Sequence, residues 1–133
     1  MLQKSNSTSE EKKIPSKREK GAIGEEIAVQ YLQKRKFKIL ERNYRRRFGE
    51  IDIICRENKT LVFVEVKMGR ADLFGPPETW VDVRKQLQIA KMASSYIQYH
   101  RLWDMDCRFD VIGISTKEND KQDIVHLRDA FRM

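Results

Sequence analysis

The sequence predicts an α/β domain: a mixed central β-sheet with a helix on each side, in the order α-β-β-β-α-β-β. Three observations predict it. Apolar residues recur at helical spacing from Ala22 to Leu32. Two apolar runs, GEIDIIC from Gly49 and LVFVEVK from Leu61, stand either side of a short polar stretch and read as a hairpin. The hairpin is apolar on both faces near its turn, the mark of central strands covered from both sides.

In order along the chain, residues 1–18 are polar and nearly devoid of apolar side chains. They bury too little surface to offset ordering entropy and are expected to form a disordered basic tail, leaving a single domain over residues 19–133. A helix is expected over 19–36, with Ala22, Ile23, Ile27, Ala28, Tyr31 and Leu32 as its apolar stripe. Glu25 falls at the margin of that stripe, about 20° from Leu32, where a carboxylate ordinarily snorkels to the surface. A strand is expected over 37–44. With Asn58-Lys59 as a two-residue loop, the hairpin register sets Asp52 opposite Glu65. One hairpin face then carries Ile51, Ile53, Cys55, Val62, Val64 and Val66; the other carries Ile54, Leu61 and Phe63, then Glu50, Asp52, Glu65 and Lys67. A Gly- and Pro-rich loop follows over 68–77. A second helix is expected over 77–99, with Val81, Leu87, Ala90, Ala93, Tyr96 and Ile97 supplying its apolar face. Strands over 108–114 and 123–127 close the order.

Composition sets further bounds. No apolar run approaches the length of a membrane span, and the N-terminus has no signal-type apolar segment. Two cysteines, Cys55 and Cys107, argue against a disulfide framework and make a reducing cytoplasm the default location. The net charge is +7, and eight of the basic residues lie between Lys34 and Arg47 beside one acid, Glu41. Such a run is either a phosphate-binding surface or a solvated face.

Asp52, Glu65 and Lys67 interrupt otherwise apolar strands. Two carboxylates opposite one another have Cβ atoms about 5 Å apart and repel when both are ionised. Three remedies exist: a shared proton, a salt bridge from Lys67 or an arginine, or a divalent cation. Mg²⁺ takes oxygen ligands through one or two carboxylates plus substrate phosphates. Lys67 would then polarise a water or neutralise charge at a scissile phosphate, and Glu25 would add a ligand or a base for water. A salt-bridge cluster and exposed strand ends remain the competing readings of the same residues.

The motifs GAIGEEIAVQYL from Gly21, ERNYRRRFGEIDII from Glu41, LVFVEVK, the Gly75-Pro76 loop with Glu78, Lys85, RFDVI from Arg108 and the closing HLRDAF resemble a known set. The chain resembles the YraN-like family of bacterial proteins, within the PD-(D/E)xK or restriction-endonuclease-like nuclease superfamily and akin to archaeal Holliday junction resolvases. The resemblance covers nearly the whole chain after the tail. It implies a restriction-endonuclease-like fold, with Asp52 and Glu65 as ligands of Mg²⁺ or Mn²⁺, the backbone carbonyl of Val66 as a further ligand, Lys67 as the catalytic lysine and Glu25 as the helix carboxylate. It implies DNA cleavage, with branched DNA as the resolvase-like substrate. Resolvases act as dimers, so a homodimer follows by analogy alone. The superfamily's proline before the aspartate is replaced here by Glu50-Ile51.

Arg45, Arg46 and Arg47, with Arg70 and Lys85, are the expected phosphate contacts, which position a backbone without reading sequence. Tyr44 and Phe48 interleave the arginines; packing is expected of both, with base stacking as the alternative. His100 and His126 lack metal-ligand spacing and read as structural, as do Trp80 and Trp103. Cys55 reads as a small core residue. Asp110, inside an apolar strand, is expected to orient a neighbour. A non-catalytic nucleic-acid-binding module and an adaptor with internal salt bridges remain the alternatives to a nuclease.

Overall fold

The computed structural model describes residues 16–132. Most of the tail expected over 1–18 therefore lies outside the described residues. Helix α1 spans Lys17–Lys34, starting two residues earlier than expected. A reciprocal cap explains the difference: Ser16 Oγ accepts from the Glu19 amide, and Glu19 Oε1 accepts from the Ser16 amide. Strands β1 (Lys38–Arg46), β2 (Gly49–Glu57) and β3 (Thr60–Arg70) follow. Two short 3₁₀ turns, Ala71–Leu73 and Pro77–Thr79, lead to helix α2 (Val83–His100), then β4 (Asp106–Thr116) and β5 (Gln122–Phe131).

The five strands form one sheet in the order β1-β2-β3-β4-β5. Only the β3–β4 pair is parallel, so the sheet is mixed, and α2 makes the crossover that parallel neighbours require. Helix α1 covers one face over Ile53, Cys55, Val62, Val64, Ile112 and Ile114. Helix α2 covers the other over Tyr44, Ile54, Leu61, Phe63, Phe109 and Val111. This is the α/β arrangement the sequence predicts, with β3 buried on both faces.

Several boundaries and faces differ from expectation. The stripe of α1 is Glu25, Ala28, Val29 and Leu32, whereas Ile23 is 44% exposed. That rotation carries Glu25 inward, so it is a buried residue and not a snorkelling one. Gly24 lets α1 approach the sheet, because a Cβ there would sit 3.2 Å from Met68. Helix α2 begins at Val83, six residues after expectation. Asp82 caps it by accepting from the Lys85 amide, and the segment before it turns as 3₁₀. Its buried stripe is Ile89, Met92, Ala93 and Tyr96, which leaves Leu87 on the solvent side. Strand β5 runs on to Phe131 through an irregularity opposite Asp110. Trp103, expected to pack, is 64% exposed.

Candidate metal and nucleic-acid site

The hairpin register is the expected one. Ile53 pairs with Val64, and Glu57 with Thr60, around the Asn58-Lys59 turn. The β2–β3 ladder ends at Ile53/Val64, one residue short of Asp52 and Glu65. The β1–β2 ladder likewise skips the position where Asn43 faces Asp52, and Asn43 adopts a left-handed φ of 52°. The backbone is thus irregular on both sides of Asp52. Ile51 packs with the α2-side cluster as a result, instead of sharing the face of Ile53 as expected.

Asp52 uses the opening. Its Oδ2 accepts from the Val66 amide at 2.8 Å, standing in for the missing ladder acceptor. Glu65 is largely buried beside it. Burial, then the Asp52 carboxylate, pushes the Glu65 carboxyl up to about 8; Lys85 opposes them. Burial also raises the Asp52 carboxyl, against the stabilising Val66 N–H. Lys85, from the first turn of α2, places Nζ 3.8 Å from Glu65 Oε2.

Lys67 lies two residues beyond Glu65 on the same strand face. Its Nζ sits 5.2 Å from the Phe74 ring centroid. Phe74 and Trp80 stand edge to face over Gly113, which pairs with Lys67 across β3–β4. The Gly-Pro loop therefore walls the lysine. Glu25 approaches from α1, with Oε1 accepting from Asn43 Nδ2 at 2.7 Å and Oε2 from Arg42 Nε at 3.3 Å.

Among the described residues no three His, Cys, Asp or Glu side chains converge closely enough to hold an ion by themselves. Asp52 and Glu65 come together; Glu25 lies within electrostatic reach of Asp52, with both its oxygens engaged elsewhere. Two carboxylates and a carbonyl are nevertheless a chemically sound partial set for Mg²⁺ or Mn²⁺, ions that keep waters and complete their shell with phosphate oxygens. A cleft of about 440 Å³ between Val81 and Phe131, and one of about 570 Å³ near Arg70 and Lys117, lie away from these carboxylates.

Of the five expected phosphate contacts, Arg45 pairs with Glu50 at 3.0 Å and Arg70 pairs with Asp72 through two nitrogens. Lys85 faces Glu65 as described. Arg46 and Arg47 make no ion pair among the described residues, and both are exposed at the β1–β2 turn. Tyr44 is buried as expected, edge-to-face with Tyr96. Phe48 is 45% exposed.

Comparison with known proteins places the sequence in a family. The model of "Uncharacterised protein family UPF0102" matches residues 24–114. The chain belongs to the UPF0102 family. It is 46% identical over 113 residues to a UPF0102 protein of Geotalea uraniireducens, covering 85% of this chain and 89% of that one. A UPF0102 protein of Syntrophus aciditrophicus is 45% identical over 113 residues, covering 85% and 88%. One from Clostridium beijerinckii is 42% identical over 114 residues, covering 85% and 93%. UPF0102 is the YraN-like family that the motifs resemble, of the nuclease-like superfamily. The matched span of this UPF0102 chain contains Glu25, Asp52, Glu65, Lys67 and Lys85, and it ends before β5.

Sequence reasoning did not find Arg42 or Asn43, which hold Glu25, nor Gln88, which donates to the Phe48 carbonyl. The one available signal was Asn43 itself, since asparagine is enriched at left-handed φ. Asp110 does orient neighbours. It is fully buried and takes Arg108 Nε at 2.9 Å, His126 Nε2 at 2.7 Å and the Asp129 amide at 3.0 Å. His126 is structural as read, with Nδ1 3.3 Å from the Tyr31 hydroxyl. Cys55 is a buried free thiol, pushed up to about 12 by burial. No helix of the described residues is long and apolar enough to cross a membrane.

Proposed function

We propose that the chain is a Mg²⁺- or Mn²⁺-dependent endonuclease that hydrolyses phosphodiester bonds in DNA. One observation carries this reading: two largely buried carboxylates, Asp52 and Glu65, adjoin where β2 and β3 part, with Lys67 on the same strand face. A structural role would favour replacing one of two mutually repelling buried acids, whereas a cation site needs both.

The residues divide the work as follows. Asp52, Glu65 and the Val66 carbonyl would hold the ion, which supplies Lewis-acid chemistry and an acidified water. The Val66 amide fixes the Asp52 rotamer. Arg46 and Arg47, free of carboxylate partners at the β1–β2 turn, bind backbone phosphates. Lys67, restrained by Phe74, holds the attacking water and offsets charge growing on the phosphoryl oxygens. Glu25, fixed by Arg42 and Asn43, orients water on the side facing α1. The water oxygen bonds to phosphorus and gives up one proton to solvent as the bond from phosphorus to the leaving sugar oxygen breaks, and that oxygen takes up one proton from solvent. Branched DNA is the substrate class that the resolvase resemblance favours.

Lys67→Ala should abolish metal-dependent cleavage and leave the thermal melt unchanged. Cleavage retained in that variant, with contaminating nuclease excluded, would remove the lysine from the mechanism. A second reading, a nucleic-acid-binding module without turnover, is favoured by Lys85, which already supplies Glu65 with a protein cation. It calls for salt-sensitive DNA binding with no metal-dependent product.

A further inference from the structure

The tight turn between β1 and β2 holds an exposed aromatic ring in place with unusual care. Gly49 has a φ of 149°, a conformation that side-chain-bearing residues rarely adopt. A Cβ on Gly49 would lie 2.6 Å from Gln88 Nε2, so the glycine is also what lets Gln88 cross the turn. From there Gln88 Nε2 donates to the Phe48 carbonyl at 2.7 Å. Lys91, three residues further along α2, places Nζ 4.5 Å from the Phe48 ring centroid. The ring remains 45% exposed. Its cation-covered side is occupied, and the turn around it carries Arg46 and Arg47.

The same helix face leads to the carboxylates. Lys85, which meets Glu65, lies one turn before Gln88, and a recess of about 300 Å³ between them is lined by Asp82, Arg84, Lys85 and Gln88. Phe48 stands in the turn that opens β2, four residues before Asp52.

We infer that Phe48 is a base-stacking platform that gives this chain a preference for DNA with unpaired bases beside the phosphate-binding turn. The inference rests on the DNA-cleavage reading above. In an intact duplex the base faces are covered by their neighbours, so a ring at a phosphate-binding turn has no partner there. An unpaired base presents a free face, and an aromatic ring takes it regardless of base identity. A cation beneath the ring adds to its attraction for the strand.

Fluorescence anisotropy in metal-free buffer tests this with a blunt duplex and the same duplex interrupted by a short single-stranded gap. The wild-type chain should bind the gapped probe more tightly. Phe48→Ala should lose at least about fivefold in affinity for the gapped probe, with duplex affinity and the thermal melt unchanged. Phe48→Trp should restore the preference. Equal losses on both probes, or no loss on either, would overturn the stacking role while leaving DNA cleavage standing. Failure of the wild type to bind either probe would overturn both. Intact gap preference in a chain with no metal-dependent cleavage would remove the nuclease and keep the platform.

Discussion

Glu65 shows at the scale of one residue what an ion would relieve. Its carboxyl is raised to about 8 by burial first and by Asp52 second. A raised folded value means that Glu65 favours folding fully below its unfolded value, about 4.3, and that this contribution is lost as pH rises towards 8. Without metal, stability should therefore decline from about pH 5 to 8. Glu65→Gln should remove that decline and raise the melting temperature at pH 8 by roughly 5 °C or more, with little change at pH 4. Saturating Mn²⁺ should abolish the difference. An unchanged pH profile in the glutamine variant would show that Glu65 is not the group responsible. The charged residues of this site were legible because Asp52, Glu65 and Lys67 break apolar strands. The burial of Glu25 was not, because a stripe through Ile23 and Ile27 and one through Glu25, Ala28 and Leu32 differ by a small rotation of one helix. Only the partners Arg42 and Asn43, supplied by another element, decide between them.

Elements place the lysine and the turn. Phe74 and Trp80 roof Lys67 by packing on Gly113, where any Cβ would overlap the Trp80 ring. Gly113→Ala should cost about 1–3 kcal/mol in urea unfolding. It should also lower cleavage more than Leu73→Ala, a change at a largely exposed side chain of the same loop. Equal effects of the two would show that the roof does not restrain Lys67. The hairpin was legible down to its register, because Asn58-Lys59 leaves only one pairing that segregates the apolar residues. What the pattern of alternation cannot express is where a ladder stops. The break at Asp52 depends on Asn43 across the neighbouring strand and on the Val66 amide. The start of α2 differs from expectation for a related reason: Pro77 is a good helix opener, but it opens a 3₁₀ turn, and Asp82 caps the α-helix.

Over the whole molecule, two polar systems sit on opposite faces of one sheet. On the α1 side, Asp110 ties Arg108, His126 and the irregular stretch of β5 together, and Arg108 and Arg128 share Glu57. Burial alone would raise the Asp110 carboxyl, but hydrogen bonds from His126, Arg108 and the Asp129 amide hold it below the ordinary range. Such a group stabilises the fold above its unfolded value and loses that contribution as pH falls through the lowered one. Asp110→Ala leaves His126 and the Asp129 amide without an acceptor and Arg108 with Glu57 alone, and should cost about 2–3 kcal/mol, a sizeable share of the ~5–15 kcal/mol that stabilises a domain. A loss below about 1 kcal/mol in urea unfolding would contradict that role. On the α2 side, the acids of the candidate site gain no comparable set of donors. Asp52 and Glu65 set two close carboxylates against one backbone N–H and one lysine, an arrangement that a cation would relieve.

Mn²⁺ binding by calorimetry, on the wild-type chain beside Asp52→Asn, tests that argument most directly, since no unknown substrate can hide the result. Titrations are run with and without a non-cleavable DNA, because phosphates complete the ligand set. The account predicts binding by the wild type that vanishes in a variant that still melts cooperatively. Binding of equal strength in both, or none in the wild type with DNA present, would contradict it.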